Sequence, residues 1–111
     1  MPLETDGIPD NDDELRAKLT METARISWEE LQRFYAKGYV VGVAHDMDLI
    51  EVGMSLVRDD KPRLEQWIND GKVGDVKPEQ AQHWFDTSAE LWAVVVAPWV
   101  LVQDEAGQRA Q

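Results

Sequence analysis

Between Leu91 and Val102 the chain runs twelve residues, LWAVVVAPWVLV, without a charge, and the only polar side-chain groups in the run are the indole N–H groups of Trp92 and Trp99. Because the chain as a whole is acidic and 30% charged, this run has to be buried. It is too short to cross a bilayer, which takes about 20 apolar residues as a helix. The small and β-branched residues Ala93 to Val96 favour a strand over a helix. A strand apolar on both faces needs cover on both, from its own helices or from a second protein. Val95, at the centre of that strand, is expected to be fully buried. Pro98 lacks the amide hydrogen a central strand uses, which predicts a bulge or exit at Ala97–Pro98.

Upstream, the periodicity is helical and the stops are clear. Leu15 and Leu19 define a first short helix over Asp12 to Met21, with Asp12, Asp13 and Glu14 in the turn where acids suit the helix dipole. Ser27 and Glu30 form an S-x-x-E capping box, with Ile26 and Leu31 placed as a hydrophobic staple. Trp28, Leu31, Phe34 and Tyr35 follow at helical spacing until Gly38 stops the helix, and Tyr39 to Ala44 reads as a strand. Asp48 and Glu51 open a third helix with Leu49, Val52, Leu56 and Val57 as its stripe. Pro62 sits in the first turn of a fourth, where its missing N–H does no harm. Leu64, Trp67 and Ile68 form the stripe of that helix, and Gly71 ends it. Val73 to Val76 is a short strand, and Pro78 opens a last helix with Ala81, Trp84 and Phe85 facing inward. Leu31, Phe34, Tyr35, Gly38, Val40 and Val43 recur 33 residues on as Leu64, Trp67, Ile68, Gly71, Val73 and Val76. Any helix–glycine–strand unit produces such an echo, an old duplication with pseudo-twofold symmetry is the other reading, and two copies do not make a solenoid.

These signals predict one α+β domain over residues 12–103, with four or five helices packed on a two- to three-stranded sheet that ends in the long apolar strand. A disordered acidic leader (1–11) and a mobile tail (104–111) flank it. Helices on so small a sheet are expected to cover one face only. The remaining apolar surface then predicts self-association as a twofold dimer around Leu91 to Val102.

Charge and composition exclude several functions. Residues 1–14 hold six acids and no base, and the other 97 residues hold sixteen acids against eleven bases. With a net charge of −11, no positive field is available for nucleic acid. The absence of cysteine removes disulfides, thiolate zinc sites and cysteine nucleophiles. With neither a secretory signal nor a transmembrane segment, the expected compartment is the cytoplasm, without membrane attachment. No serine lies in a G-x-S-x-G elbow, and no Gly-rich phosphate loop is present, so no cofactor is expected.

One cluster offers metal or acid–base chemistry: His45, Asp46 and Asp48 follow the first strand, where an open sheet places its crevice. His83 is the only other histidine. The simpler reading makes Asp46 or Asp48 a helix cap and His45 a loop residue. Trp28, Trp67 and Trp84 fall in helical stripes and belong to the core. Trp92 and Trp99, seven apart, point to opposite faces of a regular strand, which makes them the candidates for contact with a partner. The leading reading is a non-enzymatic interaction or regulatory module whose partner is another protein or itself. The competing one is a small metal-dependent or acid–base enzyme using His45, Asp46 and Asp48.

The stretches ETARISWEELQRFYAKG, VAHDMDLIEVG, DDKPRLEQW…GKV and ELWAVVVAPWVLVQ together resemble a family of small bacterial proteins known as domain of unknown function 2288. The likeness covers about residues 15–103, and the Trp-Ala-Val to Pro-Trp-Val spacing of the ending is its most specific part. The resemblance implies a small cytoplasmic bacterial protein. It assigns no catalytic residue, cofactor or partner.

Overall fold

The apolar run is two strands, not one. In the computed structural model, which describes residues 11–104, the chain reverses at Ala97–Pro98, a cis peptide, and the run pairs with itself as a hairpin. The elements among the described residues are helices α1 (Asp12–Glu22), α2 (Trp28–Ala36), α3 (Leu49–Val57), α4 (Lys61–Asn69) and α5 (Pro78–Asp86), and strands β1 (Ala24–Ser27), β2 (Val40–Val43), β3 (Val73–Asp75), β4 (Glu90–Val96) and β5 (Trp99–Gln103). A single twelve-residue strand would reach about 40 Å, the full 41 Å length of the domain. Folding it back gives each apolar half an apolar neighbour.

The result is an α+β domain on a five-stranded mixed sheet of order β1-β4-β5-β2-β3, larger than the two or three strands expected. β4 and β5 are antiparallel, with Trp92 opposite Gln103 and Val96 opposite Trp99. β5 and β2 run parallel, Val40 beside Val100. β3 pairs antiparallel with β2 at one edge, and β1 with β4 at the other. β1 escaped the sequence reading because its alternation, ARIS, is only four residues long and ends on Ser27, which reads as the cap of the next helix.

Both faces of the sheet are covered. Leu91, Ala93, Val100 and Val102 pack under α2 and α5 with Trp28, Leu31, Ala81 and Trp84. Val94, Leu101, Val43 and Val73 pack under α1 and α3 with Leu15, Leu19, Leu49 and Val52. The expectation that helices cover one face only therefore fails, because they divide between the two. α1 and α3 cross closely at Gly53, where an added Cβ would lie 3.2 Å from Leu19 Cδ1. Three apolar side chains expected inside are exposed. Val95 is 54% exposed, because it sits next to the turn, beyond the helices, and not at the centre of a strand. Phe85 and Ile68 lie on the outer sides of α5 and α4, and α4 buries none of its residues fully.

Start and stop signals behave as read. Ser27 Oγ accepts the Glu30 amide at 3.2 Å, Asp48 Oδ1 accepts the amide of Ile50 at 2.9 Å, and Pro62 and Pro78 sit in first turns. Four helices end by one device. The chain enters the left-handed region at Gly38, Asp59, Gly71 and Ser88. The next amide then donates back into the helix, from Tyr39 to Phe34, Asp60 to Ser55, Lys72 to Trp67 and Ala89 to Trp84. The echo at an offset of 33 coincides with two of these four exits, at Gly38 and Gly71. The leader and tail fall, at 1–10 and 105–111, outside the described residues. At their inner ends Asn11 caps α1 and Asp104 is buried.

Candidate functional site

The loop from β2 to α3 carries His45, Asp46 and Asp48, and each carboxylate has structural work. Asp48 caps α3, its Oδ2 also 3.7 Å from Arg16. Asp46 accepts a hydrogen bond from Lys72 Nζ at 2.8 Å, and that ammonium holds its carboxyl below the usual range against the opposing effect of desolvation. The loop is pinned from below by Gln103, whose Nε2 donates to the carbonyls of Ala44 and Met47 at 2.9 and 2.7 Å. Among the described residues no three His, Asp or Glu side chains are grouped so as to hold a metal ion. His45, Asp46 and Asp48 are therefore neighbours in sequence without converging on one point.

The two candidate contact tryptophans share a face. On a single strand a separation of seven would oppose them. In the hairpin Trp92 shares a face with Gln103 and Trp99 with Val96, and the alternation of β5 from Trp99 through Leu101 to Gln103 puts all of these on one side. They lie at opposite ends of that side. Trp92, 37% exposed, is beside β1, with the Arg25 guanidinium 5.6 Å from its ring centre. Trp99, 38% exposed, is at the turn, where Tyr39 meets it edge-on at 6.5 Å between centroids and is itself 39% exposed.

The turn end of the hairpin is thus the apolar surface left by the covered sheet. Val95, Ala97, Pro98, Trp99 and Tyr39 are all exposed there, with no charge between Leu91 and Val102. β1 ends opposite Ala93, so Val94 to Val96 of β4 have no strand neighbour on that side among the described residues. The edge also lacks the lysine or proline that usually blunts such a strand before its turn. Tyr39 was read as the start of a strand. Its nearness to Trp99 follows from the parallel β2–β5 pairing, which no local signal announces.

This combination of a mixed five-stranded sheet, five helices on its two faces and an aromatic hairpin end defines a small α+β protein with an open sheet end. The chain belongs to the family described as protein of unknown function (DUF2288), whose model matches residues 14–104. It is similar to PA1075 from Pseudomonas aeruginosa, a bacterial protein whose solution structure was determined by NMR, at 39% identity and a TM-score of 0.74, over 92% of this chain and 94% of that one. No curated protein matches it. Among the described residues no helix is long and apolar enough to cross a membrane.

Proposed function

We propose that the protein is a non-enzymatic interaction module that pairs with a second copy of itself through the turn end of the β4–β5 hairpin. The observation that carries this reading is that β4 outruns β1, which leaves Val94 to Val96 as an uncharged strand edge at the hairpin end, where Val95 is exposed on one face of the sheet and Trp99, with Tyr39 beside it, on the other. A twofold axis beside that edge sets the same segment antiparallel to itself, so the surface needs no complement but its own. Trp92, at the other end and held by Arg25, stands outside the contact. The commitment of Asp46 to Lys72 and of Asp48 to its helix supports a non-enzymatic role over acid–base work.

Sedimentation equilibrium at tens of micromolar tests it. The expected mass is that of two chains for the protein and of one chain for Val95→Lys, a change at an exposed position that leaves the core intact. Trp99→Glu is expected to act the same way. A one-chain mass for the unchanged protein, or a two-chain mass that survives both substitutions, overturns the reading.

A further inference from the structure

The outer face made by α2 and α5 takes no part in the hairpin contact, and it has a polarity of its own. The two helices lie antiparallel. Trp28 at the start of α2 meets Trp84 near the end of α5, with ring centroids 5.1 Å apart. At the opposite end the Tyr35 hydroxyl donates to the Val76 carbonyl, just before α5, at 3.1 Å. Charge divides the same way. Glu29 and Glu30 in the first turn of α2 share an end with Asp86, the last residue of α5. Arg33 in the last turn of α2 and Lys37 after it share the other end with Lys77, which precedes α5, against Glu79. All of these residues are exposed. Elsewhere Arg16, Lys18, Arg25, Arg58, Arg63 and Lys72 each pair with an acid. Arg33, Lys37 and Lys77 form no ion pair with a described residue, and Arg33 instead stacks on Phe34, 4.9 Å from the ring centre.

Between the helices runs a shallow hollow of about 400 Å³, floored by Trp28 and Ala81 and lined without a single charge. Phe85, 57% exposed, stands at its acidic end, and Tyr35 and Pro78 close its basic end. The face therefore carries an apolar knob and acids at one end, and the far part of the hollow and bases at the other. A half-turn makes such a surface complementary to itself. We infer that the α2–α5 face is a second contact surface whose partner is another copy of this chain, laid antiparallel across a twofold axis. Phe85 of each copy then enters the Tyr35–Pro78 end of the other's hollow, and the acidic end of each copy faces the basic end of the other. Exposed ion pairs contribute little each, so this contact forms at higher concentration than the hairpin contact and joins dimers into larger assemblies.

Charge reversal tests it by ¹⁵N NMR on full chains that all carry Val95→Lys, which removes the hairpin contact. Glu29→Lys with Glu30→Lys leaves both ends basic, and Lys37→Glu with Lys77→Glu leaves both acidic. Each variant is expected to keep the fold, seen in its amide spectrum, and to lose self-association. Mixed, the two restore both charged contacts. The mixed pair is expected to bind at least tenfold more tightly than either variant binds itself, shifting the side-chain amides of Gln32 and Gln82. Net charge alone would instead favour the first variant with itself, because it is the less acidic of the two. Phe85→Ala, at an exposed position, is expected to weaken the mixed pair about fivefold. A mixture without shifts at millimolar concentration overturns the inference, as does a mixed pair no tighter than the first variant with itself. The hairpin reading can fail without altering either result, because the reversed charges lie outside Val94 to Val96.

Discussion

At the scale of single residues, the four left-handed helix exits are unequal. Gly38 and Gly71 adopt positive φ without a steric penalty, whereas Asp59 at φ 57 and Ser88 at φ 51 place a Cβ against the following carbonyl. Aspartate tolerates the region better than serine does, because its short polar side chain satisfies local backbone groups. Ser88 is exposed, and Gly there keeps the back-donation from Ala89 to Trp84 that closes α5. Ser88→Gly is expected to stabilise the fold by about 1 kcal/mol, raising Tm by roughly 4–8 °C. Calorimetry of the two proteins checks it, and an unchanged or lower Tm would mean that Ser88 makes a compensating contact. The same residues show what was legible. Glycine announces a left-handed exit in the sequence, so the ends of α2 and α4 were readable. Serine announces nothing, and the stop at Ser88 became visible only in the structure.

At the scale of elements, α1 is the piece whose attachment depends most on charge. Leu15 and Leu19 seat it on the sheet, and an ionic chain fastens its outer side. Arg16 hydrogen-bonds Glu51 of α3, Arg63 of α4 donates to the other oxygen of Glu51 at 3.1 Å, and Arg58 reaches Asp12 at 3.2 Å. The Arg16 hydrogen bond holds the Glu51 carboxyl below its usual value despite partial desolvation, and Arg63 adds to the effect. A carboxyl whose pKa falls on folding contributes stability above its unfolded value, near 4.5, and loses that contribution as pH drops through the folded value. Glu51→Gln is therefore expected to be less stable than the unchanged protein at pH 7, by a gap that narrows as pH falls below 4.5. Urea melts across that range measure this, and a gap that does not change with pH would assign Glu51 a packing role instead. The sequence displayed the caps of α2 and α3 and the first-turn proline of α4 because such start signals are local. It did not display this chain of charges, the hairpin or β1, because each joins residues far apart in sequence whose local surroundings carry no mark of the partner. Pro98 did mark the place where the apolar run breaks, but a proline alone does not distinguish an exit from a reversal.

At the scale of the whole molecule, the apolar run and the acidic charge pull in opposite directions, and the fold separates them in space. Helices on both faces bury half of Leu91 to Val102, leaving the turn end uncharged while the acids occupy helix surfaces and caps. Two copies approaching in any orientation repel one another through their net charge of −11 each. The repulsion is least opposed by contact energy at the acidic helix faces and most opposed at the hairpin end, where apolar burial contributes about 25 cal/mol per Å². That contribution is insensitive to moderate salt, whereas repulsion between exposed charges is screened over about 30 Å at 0.01 M and about 8 Å at 0.15 M ionic strength. Self-association through the hairpin end is therefore expected to strengthen as salt rises, with the dimer Kd several-fold lower at 0.15 M than at 0.01 M. Sedimentation equilibrium across that range measures the slope. A Kd that rises with salt would mean that the copies are held by ion pairs, and would place the contact on a charged helix face instead of at Val95 and Trp99.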